Sequence, residues 1–245
     1  WDLYNADFPI GHAVLLASCI QISLLGVLLL LVPLRWLERS GIPTPGRWNI
    51  FAYFGALGAG FMFVEIVLMQ KLVLFLGHPT YATSVVLSSL LAFAGLGSFV
   101  ARRFEISRRN MTVLAVILVA VVVVVAGAIH GMIDIFLGLS LSARIAVVVA
   151  ALAPLGFVLG IPFPTGIRIV SDQCPQLLPW AWAINGLLSV FSSIFCIVLS
   201  MAVGFSTVLV LAAIIYAGGF AAMIGWLPRP SESREPMVPV DAAGR

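Results

Sequence analysis

The chain has 245 residues, of which 62% are hydrophobic and only 9% charged. A soluble domain carries about 25% charged residues, so too few charges are present to cover a water-facing surface, and lipid is the expected solvent. The formal charge of +3 is small, and no basic stripe with interleaved aromatics appears, which excludes a nucleic-acid-binding surface.

Crossing a membrane takes about 20 apolar residues at 1.5 Å rise each. Seven runs qualify in chain order: Ala13–Leu34, Ile50–Leu76, Tyr81–Ala101, Met111–Ile129, Ile145–Ile161, Trp180–Val203 and Ser206–Trp226. None alternates with period two, so a β-barrel is excluded and an all-α polytopic transmembrane bundle of about seven spans is predicted. Residues 1–12 form an extracytoplasmic segment, 13–227 the helical domain and 228–245 a disordered cytoplasmic tail rich in Pro, Ser and charge. The apolar stretch Met132–Leu141 is too short to cross and is expected to be interfacial or re-entrant. The chain starts at Trp1, which suggests a piece of a longer or processed protein. Its first run is too long and too arginine-flanked for a simple signal peptide.

Breakers separate the runs. Gly41 to Gly46 contains Pro43 and Pro45, Gly77-His78-Pro79 ends the second run, and Gly160 to Gly166 ends the fifth with Pro162 and Pro164. Arg35, Arg39, Arg47, Arg102, Arg103, Arg108, Arg109, Arg168 and the tail arginines all fall on one side if there are seven spans. That side is then cytoplasmic, with the N-terminus outside and the C-terminus inside a bacterial inner membrane. The glycines of the second, third and fifth runs, including Gly156 and Gly160, are expected to let helices pack closely.

Polar residues inside the runs are the candidates for chemistry. Glu65 sits near the middle of the second run, where a carboxylate is costly unless paired, protonated or wetted. It is read either as a proton or cation site or as a structural hydrogen bond to another helix. Glu65, Gln70, Asn185 and Ser189 form a candidate intramembrane polar site. Ser192 and Ser193 extend the Asn185 seam, which glues helices or lines a path. Lys71, His78 and Tyr81 form a candidate outer-face turn, with Lys71 expected to snorkel outward and His78 and His130 to serve as caps or turns. Pro162, Pro164 and Arg168 mark a candidate broken-helix site. Cys19, Cys174 and Cys196 make no CxxC pair, so no metal site or disulfide framework is expected. No P-loop, HExxH, GxSxG or strand-linked GxGxxG occurs, and no cofactor is implied.

The segments Gly58 to Ile66 with Gln70, Leu76 to Ala82, Gly95 to Ser98, Gly160 to Gly166 and Pro179 to Gly186 form a combination. It resembles the C-terminal membrane region of bacterial spermidine-synthase-like multi-pass membrane proteins, over Ile50 to Trp226. The resemblance implies a membrane region that accompanies an aminopropyltransferase-like or methyltransferase-like domain, none of whose cofactor-binding or catalytic residues is found here. The expected role is a non-catalytic integral membrane module that anchors or assembles with partner protein, either a missing domain or a separate complex. The alternative is a transporter or proton-coupled carrier for a small cation such as a polyamine. An intramembrane enzyme has no evident acid–base pair or metal triad.

Overall fold

The structure, a computed structural model, describes residues 46–227 and seven helical positions between 14 and 26. Its elements are α1 (Arg47–Leu76), α2 (Pro79–Ala101), α3 (Arg108–Phe136), α4 (Leu141–Leu159), α5 (Pro162–Gln173), a 3-10 turn (Pro175–Leu177), α6 (Leu178–Val203) and α7 (Phe205–Trp226). No strand occurs among the described residues. Six of the described helical stretches are long and apolar enough to cross a membrane, α5 continuing the stretch that α4 begins. Most of the first predicted run, the N-terminal segment and the tail lie outside the described residues. Gly26 of that run packs against Leu187 of α6.

The helix ends follow local chemistry. Gly77 terminates α1 in the left-handed region at φ 80°, its N–H bonded to the Val73 carbonyl, a conformation glycine takes without a Cβ penalty. His78 then caps α2 by accepting from the Thr80 N–H, and Pro79 fills the first turn, where its missing N–H costs nothing. Ser107 caps α3 through the Asn110 N–H. Gly160 and Pro162 separate α4 from α5 because proline cannot supply the next backbone donor.

The stretch from Met132 is not a separate or re-entrant piece but the end of α3, which runs unbroken to Phe136 before a turn at 137–140. Gly131 weakens a helix by only about 1 kcal/mol, whereas breaking the ladder orphans several backbone groups. Continuing the helix is the cheaper solution.

α1 is the hub. Its 30 residues span about 45 Å at 1.5 Å each, and it is the most buried of the six long apolar stretches. It packs chiefly on α6 and α7, then on α2. Gly58 meets Asn185 while Phe63 meets Cys196, so α1 and α6 run parallel. Asn49 meets Ala222 while Lys71 meets Ser206, so α7 runs antiparallel to α1. α2 and α4 lie side by side, and α3 closes against α7. This path gathers Arg47, Arg102, Arg103, Arg108, Arg109 and Arg168 at one end, with Lys71, His78, His130, Asp134 and Arg144 towards the other.

Candidate functional site

Three arginines serve the ends of neighbouring helices. Arg108 donates to the Leu227 carbonyl, from Nε at 2.8 Å, and to that of Gly225 at the end of α7. Arg168 donates from Nη1 to the carbonyls of Ala101 at 2.7 Å and Phe104 at 3.0 Å, just past α2. Arg144 donates from Nη1 to the Phe75 carbonyl at 2.7 Å, in the last turn of α1. The last four carbonyls of a helix lack intrahelical donors and carry the negative end of its dipole, so a cation placed there satisfies both. Arg168, expected beside an opened helix end, is engaged in such a cap.

The helix break itself is closed by hydrogen bonds. The Tyr53 hydroxyl donates to the Pro162 carbonyl at 2.8 Å, and the Thr165 hydroxyl to the Ile161 carbonyl at 2.8 Å. Tyr53 is fully buried, packed edge-on against Phe54 and Phe220. Its bond to a carbonyl 109 positions away was not legible in the sequence. The only signal was a phenol inside an apolar run, whose buried hydroxyl needs a partner.

The residues of the candidate intramembrane site are not brought together as one group. Asn185 and Ser189 share the α6 face turned to α1, where Asn185 Nδ2 donates to the Phe54 carbonyl at 3.1 Å. The Ser189 hydroxyl donates to the Asn185 carbonyl, and Ser193 repeats the pattern one turn on. Gln70 is exposed. Glu65 is 5% exposed, and its Oε2 has no hydrogen-bond partner among the described residues. Seven residues separate Glu65 from Gly58, so both lie on the α1 face turned to α6. Ser200 Oγ, on the facing side of α6, is likewise buried without a partner. Replacing Asn185 with leucine is expected to destabilise the bundle by about 0.6 to 1.7 kcal/mol, the range for interhelical polar contacts in lipid. A reversible unfolding titration in mixed micelles measures it.

The expected outer-face turn separates as well. His78 and Tyr81 stay together at the start of α2, ring centroids 6.1 Å apart. Lys71 Nζ lies 3.0 Å from His130 Nε2 on α3 and 3.0 Å from Ser206 Oγ on α7, tying three helices. The partners lie 59 and 135 positions away, and only folding reveals them.

A cleft of about 370 Å³ opens between α2 and α6, which scarcely meet. Gly58, Gly95 and Gly160 line it together with Ser98, Asn185 and Ser189. Glu65 is not part of its wall. No group of three or more His, Cys, Asp or Glu side chains that could hold a metal occurs among the described residues.

No known protein family, curated protein or solved structure matches the chain.

Proposed function

We propose that the chain is a non-catalytic integral membrane module that assembles with other protein. The partner is a separate subunit or the rest of a longer spermidine-synthase-like protein. The observation that carries this reading is the α2–α6 cleft, where apolar side chains such as Leu91, Phe163 and Tyr216 are interspersed with Gly58, Gly95, Gly160, Ser98, Asn185 and Ser189. Small residues with a few hydroxyls and amides are what helix–helix contact in lipid uses, because backbones approach closely and polar groups find partners. The supporting pattern is the engagement of Arg168, Tyr53, Asn185 and Lys71 in interhelical bonds, which serves a scaffold.

The arrangement in the membrane follows from the same inference. With the first run as a seventh span and the arginine-rich end in the cytoplasm, the N-terminus is outside and the C-terminus inside a bacterial inner membrane.

The test is purification of the full chain from its own membranes in mild detergent. A partner is expected at fixed stoichiometry, and Gly95→Trp, which fills the cleft, is expected to lose it while the bundle stays folded. Wild-type protein emerging as a clean monomer, with no further domain on the same polypeptide, overturns the reading. The transport alternative has one observation in its favour, the buried carboxyl of Glu65 without a partner. It requires Glu65→Gln to abolish spermidine flux in proteoliposomes, and unchanged flux removes it.

A further inference from the structure

A second cavity, of about 320 Å³, lies between α3 and α4 with Leu68 and Leu72 of α1 as its floor. Its lining presents no polar surface. α3 and α4 meet much less closely than α2 and α4 do, and Pro154 in the α4 wall takes a backbone donor out of that helix. A dry apolar cavity of about 150 Å³ already admits a benzene ring, and water does not stay where it finds no polar partners. A cavity twice that size, at the surface of a helix bundle in lipid, is filled by hydrocarbon.

Two features specify which hydrocarbon. The α3 wall runs from Ala120 to Met132, about 18 Å at 1.5 Å per residue. One leaflet of a bilayer core measures about 15 Å. The cavity therefore matches the depth of one acyl chain. Above it stands a cation. Arg144 precedes Val148 of the α4 wall by one turn on the same face, and it is half-buried. Its Nε donates to the Leu139 carbonyl and its Nη1 to the Phe75 carbonyl, while Nη2 has no hydrogen bond among the described residues. A guanidinium has five N–H donors and pairs with phosphate oxygens.

The geometry points to a binding site for one anionic phospholipid, with an acyl chain in the α3–α4 cavity and its phosphate on Arg144. Phosphate charge complements the arginine, and the chain covers apolar wall that no group among the described residues covers. The lipid belongs to the leaflet opposite the arginine-rich end of the bundle.

Native mass spectrometry of the full chain in mild detergent, titrated with dioleoylphosphatidylglycerol and separately with dioleoylglycerol, tests this. Wild-type protein is expected to hold one phosphatidylglycerol at least tenfold more tightly than the uncharged lipid. Ala151→Phe fills the cavity and is expected to weaken both lipids at least tenfold. Arg144→Gln is expected to weaken phosphatidylglycerol tenfold and leave dioleoylglycerol unchanged. Retained binding in Ala151→Phe overturns the site, and equal response of the two lipids to Arg144→Gln overturns the phosphate contact. Should Arg144→Gln fail to fold, because Phe75 loses its cap, the wild-type preference decides. Equal affinity of wild-type protein for the two lipids then overturns the proposal.

Discussion

Gly160→Val is expected to dismantle the contact between α2 and α4. A Cβ at Gly160 would strike the backbone of Ala94, its carbonyl oxygen and carbon first. Across the same contact, a Cβ at Gly97 would strike the Phe157 carbonyl. Neither obstacle is the end of a flexible side chain, so relief requires the two helices to move apart along their length. Overpacking among side chains costs about 1–3 kcal/mol, and a backbone collision exceeds the upper part of that range. Gly160 has φ −75°, which any residue adopts, so the effect is steric and not conformational. Gly95 supplies the control. It lies two residues before Gly97, but a Cβ there meets nothing within 4 Å. Gly95→Ala is expected to gain roughly 0.5–1 kcal/mol, the advantage of alanine over glycine inside a helix. Steric-trap unfolding in bicelles measures both. A Gly160→Val variant as stable as Gly95→Ala would mean that the two helices do not touch through their backbones.

Glu65→Leu is expected to stabilise the bundle. Glu65 is buried on the hub helix, and one carboxyl oxygen has no partner among the described residues. A buried acceptor left unbonded costs about 1–3 kcal/mol, and leucine of similar bulk removes it. Glu65→Lys is expected to move the other way, since a cation at the centre of a spanning helix costs about 2.5–3.5 kcal/mol on insertion scales. The same unfolding assay reads both variants. A loss of stability in Glu65→Leu comparable to the expected gain would reveal a ligand or trapped water on the carboxyl, and would lend weight to a working acid there.

Helix positions were legible because lipid leaves few options. Runs of apolar residues bounded by Gly77-His78-Pro79 or by Gly160 and Pro162 end where the structure ends them, within a few residues. The exception is Met132 to Leu141, expected as a separate piece, whose first five residues extend the helix before it. Asn185 and Ser189 were legible as a shared face because four residues return to one side of a helix. The acceptor of Asn185, the Phe54 carbonyl, was not.

Composition and run length by themselves determined that this chain is helical and apolar, with stretches long enough to cross a membrane, since a peptide group in hydrocarbon must bond within its own segment. Those are local constraints, satisfied residue by residue along the chain. Only the tertiary structure decided that Lys71 ties α1 to α3 and α7, that arginines cap neighbouring helices, and that Glu65 lies apart from both clefts. Between helices in lipid the hydrophobic drive is weak, and contact is set by shape and by single polar bonds among distant residues. That information resides in no stretch of sequence until the helices are side by side.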